Sequence, residues 1–376
     1  MPNVEKGDYL RRISSLVESC RGIDLIIVTE PEDMRYLSGT ENALALVIPR
    51  DQEPFLIAKY AFGDVLAEEE SPLDVVVVKP EIGLNGKRDL KRIHEVIGDL
   101  ISEMRARCVG MDGPGDLRAK VRRRVEKSGR RISIRDVGKR ILNLRKTKDE
   151  KEIEIMRRSA EISIEVFYEV VPELREGLTE IEVASRFEYE FRLRGGDGSS
   201  FPTIVCFGEN SFNAHHVPRP RKLRRDDLVL IDFGAKFEGY ASDMTRTFVF
   251  GEPNSKVEKV WSAVFEAQRS AMEKIGSGVC CGLPDETARR VLNEKGLLDY
   301  YVHTLGHGVG LNVHEPPRLI IGSDERLEEG YVVTVEPGVY IKKWGGVRIE
   351  DTVVVRRRGK EVLTEKLGKF IRFKDM

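Results

Sequence analysis

Asp232, Asp243, His307, Glu336 and Glu350 carry the chemistry that this sequence makes available: four carboxylates and one imidazole in or beside apolar stretches. Asp232 lies within Leu228–Phe233, Glu336 closes Tyr331–Glu336, and Glu350 stands just before Val353–Val355. A carboxylate buried without a partner must be neutralised or must find a cation. A pair of divalent metal ions would satisfy several at once. Oxygen-rich ligation with a single imidazole and no thiolate suits Mn, Co, Fe or Zn. Two such ions would lower the pKa of a water molecule and polarise a carbonyl, which is hydrolytic chemistry. Taken singly, an Asp in a strand reads as an edge or turn residue and a His among glycines as a satisfied structural group. Taken together, several unpartnered buried charges in one domain require a counter-charge.

Two hairpins and a glycine-rich stretch would position these groups. Asp232 and Asp243 flank ten residues that include Gly234 and Gly239. A reversal near Phe237–Glu238 would set the two aspartates directly opposite each other, with Cβ atoms about 5 Å apart. Glu336 and Glu350 flank a second candidate hairpin that turns through Lys343, Trp344, Gly345 and Gly346. His307 arrives in His303-Thr304-Leu305-Gly306-His307-Gly308-Val309-Gly310, where glycines permit close approach of backbone to a ligand. His307 can donate a ring nitrogen to metal, while His303 and His314 are candidates to serve substrate or transition-state groups.

The rest of the chain reads as two domains, as its 376 residues suggest. Residues 1–142 alternate short apolar runs with charged helical stretches. Asp24–Val28, Ala43–Ile48, Pro54–Ile57, Asp74–Val78 and Cys108–Met111 are expected strands and Leu90–Met104 a helix, giving an α/β domain. Gly110, Gly113 and Gly115 lack the dinucleotide-binding spacing and read as a turn. Residues 143–376 form the second domain. Thr147-Lys148-Asp149-Glu150 has the form of a capping box, and Ile153, Met156, Ala160, Ile164 and Phe167 recur at helical spacing. A second box, Thr179 to Glu182, opens a helix with Ala184, Phe187 and Phe191 on one face. Strands are expected at Phe201–Phe207, Leu228–Phe233 and Tyr240–Phe250, helices at Val257–Ile275 and Pro284–Lys295, then strands at Tyr331–Glu336, Val339–Lys342 and Val347–Val355. This order of helix pair, strands, helix pair, strands suggests an architectural duplication without a residue-level repeat.

Composition narrows the function. Hydrophobic content of 40% and a formal net charge of -1 give no global field for nucleic acid or anionic lipid. The basic runs Arg122–Arg124 and Arg356–Arg358 lack interleaved aromatics and read as solvated faces. Met1–Leu10 carries Glu5, Lys6 and Asp8 where a secretion signal needs an apolar stretch, and no apolar run approaches membrane-spanning length, so a cytoplasmic protein is expected. Cys20, Cys108, Cys206, Cys280 and Cys281 lack paired metal or redox spacing and read as small packing residues without disulfides. Charged residues at 33% exceed the roughly 25% of average domains, which hints at ion-pair networks.

At these residues the sequence resembles the pita-bread metallopeptidases, specifically the proline dipeptidase (prolidase) and Xaa-Pro aminopeptidase group, over nearly its whole length. Ile231-Asp232-Phe233-Gly234-Ala235, Ser242-Asp243-Met244-Thr245-Arg246-Thr247, His303 to Gly310, Val335-Glu336-Pro337-Gly338 and Gly346-Val347-Arg348-Ile349-Glu350-Asp351 are similar to the family's five ligand motifs, in order. The resemblance implies a creatinase-like α/β N-terminal cap and an α+β pita-bread catalytic domain. It implies that Asp232 binds one metal, that His307 and Glu336 bind the other, and that Asp243 and Glu350 bridge both. Glu336 would also shuttle a proton from the attacking water to the leaving nitrogen. His215, seventeen residues before Asp232, matches a substrate-side histidine, and His314 matches the one that contacts the residue after the scissile bond. His303 and Arg348 fall just behind the ligands, Phe201 resembles a wall of the proline pocket, and Arg318 resembles a position that meets a dipeptide's terminal carboxylate.

Where many relatives have Pro-His-Gly, this chain has Ala214-His215-His216-Val217, so His216 competes for the role that spacing gives His215. For Arg318 a surface salt bridge is the plain alternative. The implied activity is cleavage before proline of Xaa-Pro dipeptides or short peptides by a homodimer. A bond before proline has no N–H and a fixed ring φ, which deprives ordinary proteases of backbone hydrogen bonds. The same fold hosts metal-free creatinase-type C–N hydrolases and non-catalytic peptide or histone binders. Retention of all five ligands argues against both, and the size of the cap argues against a methionine aminopeptidase. Dipeptidase and aminopeptidase remain the two readings, with Arg318 and the compact length favouring the first.

Overall fold

The computed structural model describes residues 6–79, 81–82, 88–89 and 92–375. The chain divides into two compact units, Met1–Arg145 and Lys146–Met376, against the expected division at 142/143. The first five residues of Met1–Leu10, the stretch read above as too charged for a secretion signal, and the first two residues of the expected helix Leu90–Met104 lie outside the described residues; the helix itself runs Ile93–Glu103.

The N-terminal unit is a six-stranded mixed sheet with helices. In spatial order its strands are Asp74–Val78, Phe55–Lys59, Ala45–Pro49, Leu25–Val28, Cys108–Met111 and Ser133–Asp136. Five of these carry the apolar runs that identify them in sequence. Ser133–Asp136 does not, because it is a sheet edge on which only Ile134 is even partly buried, so no apolar run was required. Gly113 takes a positive φ of 74°, as the expected turn needs.

The second unit repeats one plan twice. Helices Glu150–Val170 and Glu180–Leu193 precede a hairpin built from Leu228–Phe233 and Met244–Val249; helices Ser255–Met272 and Gly282–Glu294 precede one built from Val332–Val335 and Asp351–Val355. Each hairpin is interrupted. The first continues to its tip through Ala235–Phe237 paired with Tyr240–Ala241, the second through Gly338–Ile341 paired with Gly345–Arg348. Asp243, Glu336 and Glu350 lie at these interruptions, where a residue leaves the ladder and its side chain is free to turn toward a common centre, while Asp232 lies on a paired rung just before the first of them.

Local sequence explains the helix starts. Asp149, not Thr147, caps the first long helix: its side chain accepts from Glu152 N and Glu152 reciprocates. The capping box therefore lies two residues later than expected, since Thr147 is taken by a bridge to Tyr331. The Thr179–Glu182 box is present. Apolar stripes hold the layers together. Phe167 stacks on Phe233 at 5.3 Å and Phe187 meets Phe233 at 5.1 Å, so the helix pair grips the first hairpin one residue from Asp232. Truncating the fully buried Phe233 to Ala would cost about 3–5 kcal/mol. In the second half, Trp261, Val264 and Ala267 pack in one core with Val333, Val335, Val353 and Val355.

Candidate active site

The register of the first hairpin differs from expectation. Asp232 pairs with Thr245 and Phe233 with Met244, so Asp243 is a diagonal neighbour of Asp232 rather than its direct opposite. The reversal lies at Glu238 and Gly239, both at positive φ (47° and 83°), a two-residue turn that matches the twist of the strands. Gly234 stands where Asp243 would find its cross-strand partner. A Cβ there would come within 1.9 Å of the Ser242 carbonyl oxygen, so only glycine admits this approach. The second hairpin follows expectation. Val335 pairs with Asp351 and Gly338 with Arg348, which sets Glu336 and Glu350 across from each other between the two ladders. The hairpins are joined where Glu350 N donates to Thr245 O at 3.1 Å.

His307 lies on the short strand Gly306–Gly308, beside Glu315–Leu319 and Val332–Val335. Side chains at Gly306 and Gly308 would collide with backbone, within 2.1 Å of Thr334 O and 2.3 Å of Pro316 O. The His307 Nδ1–H donates to Gly308 O at 3.1 Å, which turns Nε2 toward Glu336 Oε1 at 3.2 Å and Asp243 Oδ2 at 3.7 Å. Ligand atoms of Asp243, His307 and Glu350 all lie within 4.8 Å of one another, close enough to hold one cation. Thr245 Oγ1 donates to Glu350 Oε2 at 2.7 Å, and Thr334 Oγ1 donates to Glu336 Oε1 at 3.1 Å. Both threonines lie two residues along a strand from an acidic ligand candidate, so they share its face.

Arg348 is buried among these groups. It donates to Asp232 Oδ2 at 2.5 Å, to Thr245 Oγ1 at 3.1 Å and to Tyr340 Oη at 2.7 Å. Tyr340 in turn donates to His303 Nε2 at 3.1 Å, and His303 Nδ1–H donates to Thr304 O at 2.8 Å. Both ring nitrogens of His303 are therefore engaged by the protein, which sets it behind the site rather than facing substrate.

The charge balance is unequal. Burial, then the charges of Glu350, Asp232 and Glu336, push the Asp243 carboxyl well above its ordinary pKa; burial, Glu336 and Asp232 do the same to Glu350. Burial also raises Asp232, although Arg348 opposes it. Burial opposes ionisation of Glu336 as well, but the His307 ring overcomes this and holds Glu336 down at about 2, while Glu336 raises His307 against its own burial. Asp232 Oδ1 is buried with no hydrogen-bond partner. An orphaned carboxylate oxygen beside carboxyls that resist ionisation is what a site for divalent cations leaves when considered as protein alone.

The remaining expected residues lie around this centre. The His314 ring meets the His307 ring at 4.3 Å, and His314 is itself exposed. His215 is exposed, and its charge works against protonation of His303 and His314. His216 is buried, with Nε2 at 2.8 Å from Glu180 Oε2, so it does not face the site. Arg318 pairs in register with His307 across the strands, is exposed, and acts on His314 by its charge. Among the described residues its guanidinium forms no ion pair, so the surface salt bridge considered for it is not made. Phe201 is half-buried next to Ser200, whose hydroxyl donates to Ser242 O at 2.8 Å. Sequence reasoning missed Tyr340, Thr245, Thr334 and Glu180. The period-two spacing of Thr245 from Asp243 and of Thr334 from Glu336 was the available signal; nothing local marks Tyr340 or Glu180.

Residues 154–357 match the model of metallopeptidase family M24, and residues 12–147 match the creatinase/prolidase N-terminal domain. An Xaa-Pro dipeptidase of Pyrococcus furiosus is 34% identical over 345 residues, 91% of this chain and 94% of the relative. Among solved structures, an Xaa-Pro dipeptidase from Bacillus anthracis superposes with a TM-score of 0.87 at 30% identity, covering 97% of this chain and 99% of that one. An X-Pro aminopeptidase from Thermotoga maritima gives 0.84 at 31% identity, covering 94% and 99%.

Proposed function

The chain belongs to metallopeptidase family M24, and from that membership we propose that it hydrolyses the peptide bond before proline in Xaa-Pro dipeptides. The observation that carries the reading is the surplus of buried carboxyls around Asp243 and Glu350, together with the unpartnered Asp232 Oδ1. Asp232, Asp243, His307, Glu336 and Glu350 would hold two divalent ions, from among Mn, Co, Fe and Zn. When bound, these ions supply Lewis-acid polarisation of the scissile carbonyl and activation of water.

The chain's own groups do the rest. Glu336 Oε1 touches His307 Nε2, which keeps it ionised, and it is the least buried of the four carboxylates, so it is suited to accept a proton from the attacking water and pass it to the proline nitrogen as that nitrogen leaves. Arg348 fixes Asp232 by charge and orients Tyr340, which holds His303 in one tautomer. His215 and His314, both exposed beside the centre, are available to the substrate amide, and Phe201 to the proline ring. Arg318, which forms no ion pair among the described residues and acts by its charge on His314, suits the free carboxylate of a dipeptide. That last feature favours dipeptidase over aminopeptidase. A homodimer and a cytoplasmic setting belong to the same reading. Exposed apolar Tyr60, Phe62, Val65 and Leu66 support the first, and five unpaired cysteines the second.

Metal-reconstituted protein, incubated with Met-Pro and with a longer peptide that begins Met-Pro, is expected to release methionine faster from the dipeptide. Equal or faster release from the longer peptide would replace dipeptidase with aminopeptidase. Chelation should abolish both activities and Mn or Co restore them; indifference to chelators would point to the metal-free C–N hydrolases instead.

A further inference from the structure

Glu180 and His216 are buried, polar and assigned no part in the site above. Glu180 is the first residue of helix Glu180–Leu193, and its side chain is fully enclosed. Its carboxylate accepts four hydrogen bonds, all from residues 207–219. Phe207 N (2.8 Å) and Asn210 Nδ2 (2.9 Å) bind one oxygen, and His216 Nε2 (2.8 Å) and Arg219 N (2.9 Å) bind the other. Because the carboxylate only accepts, His216 Nε2 is the donor there. A helix N-terminus favours an acidic acceptor at this position.

The stretch that Glu180 gathers also carries His215. One residue earlier, Ala214 O accepts from Arg348 Nη1 at 3.4 Å. His215 N donates to Asn213 Oδ1 at 3.3 Å and His216 N to Asn213 O at 3.1 Å, which closes the local turn. An exposed side chain is thus held from both flanks by buried ones: by Arg348 on one side and by the His216–Glu180 pair on the other. Consecutive histidines in this turn project differently, one outward and one inward, and this gives the His-His pair a division of labour. We infer that Glu180 and His216 are positioning residues for His215, fixing the turn so that the His215 ring meets the substrate. The inference rests on the reading that His215 faces a dipeptide.

The test is a double-mutant cycle on the Mn-reconstituted full chain with Met-Pro as substrate. His216→Leu is expected to lower kcat/KM roughly 10- to 100-fold, as removal of a group behind a reacting one does. The loss should fall on the same parameter, kcat or KM, as in His215→Ala, with bound Mn unchanged. The double variant should match His215→Ala alone within about twofold. His216→Gln, which keeps a donor for Glu180, should recover most of the activity. Losses that multiply in the double variant, or equal losses for Leu and Gln, overturn the inference while leaving the role of His215 intact. Wild-type turnover in His215→Ala overturns both the inference and that role, while metal-dependent hydrolysis would stand. Should His216→Leu not fold, Asn210→Ala removes another of the four donors and passes through the same cycle with the same outcomes.

Discussion

Glu350 and Asp351 are neighbours in sequence and equally buried, yet they occupy opposite electrostatic situations. Asp351 accepts from Arg246 Nη2 at 2.8 Å, Lys369 Nζ at 2.7 Å, Gln268 Nε2 at 2.7 Å and Thr364 Oγ1 at 2.7 Å. Burial opposes its charge, but Arg246 and Lys369 win and hold its pKa below the ordinary value. Glu350 accepts from Thr245 Oγ1 and otherwise faces Glu336 and Asp232, so burial and like charge drive its pKa well above the ordinary value, against the charge of Arg348 and the Thr245 hydrogen bond. Burial does not separate a structural carboxylate from a site carboxylate; the local count of cations does. Asp351 is completed by the protein, and Glu350 is left for something the protein must bind.

The largest effect should come from exchanging charge at each position. Glu350→Gln is expected to cut metal-dependent hydrolysis by well over the roughly 10- to 100-fold that removal of a group behind a ligand costs, while leaving the melting midpoint in chelator unchanged or higher. Asp351→Asn should do the reverse, lowering stability by about 3–5 kcal/mol with or without metal, because Arg246 and Lys369 are left buried without their partner. Equal melting losses for the two variants in chelator would erase the distinction. Calorimetry in Mn sharpens it: the wild-type protein should gain about 2.7 kcal/mol at a metal concentration of 100 times Kd, and Glu350→Gln should gain markedly less. Tyr340→Phe breaks the link between Arg348 and His303 without changing any carboxylate. Steady-state rates should fall roughly 10- to 100-fold with little change in the melting midpoint.

The smallest effect concerns a third buried carboxylate. Asp112 in the N-terminal unit forms no ion pair among the described residues. Burial pushes it up to about 7, against hydrogen bonds from Thr29 N, Glu30 N and the Thr29 hydroxyl, with Asp33 adding to the rise. Its folded pKa lies above the unfolded one, so the folded state keeps a proton that the unfolded chain releases. The associated stability is full below about pH 4 and is lost as pH rises through about 7. Melting midpoints across that range should fall more steeply in the wild-type protein than in Asp112→Asn; parallel curves would show that Asp112 does not titrate there.

Individual elements show how far local pattern reaches. The second acidic hairpin was legible because Gly345 and Gly346 lie directly beside its turn at residues 342–344, near enough to place the reversal, so Glu336 and Glu350 came together as expected. In the first hairpin the tip residues Glu238 and Gly239 both adopt left-handed backbone, which moved the pairing and made Asp243 diagonal to Asp232. Ser133–Asp136 escaped because a solvated edge strand has no apolar run to betray it.

Which residues could form the site, and which elements would carry them, was readable from the chain alone, since burying acidic side chains and an imidazole in apolar strands constrains the chemistry wherever the strands pack. How those residues divide their work emerged with the packing of distant segments against one another. Arg348 reaches Asp232 across 116 positions and His216 turns inward to Glu180 across 36. Such contacts depend on side-chain direction and on distances between segments far apart in the chain, which neither periodicity nor spacing encodes.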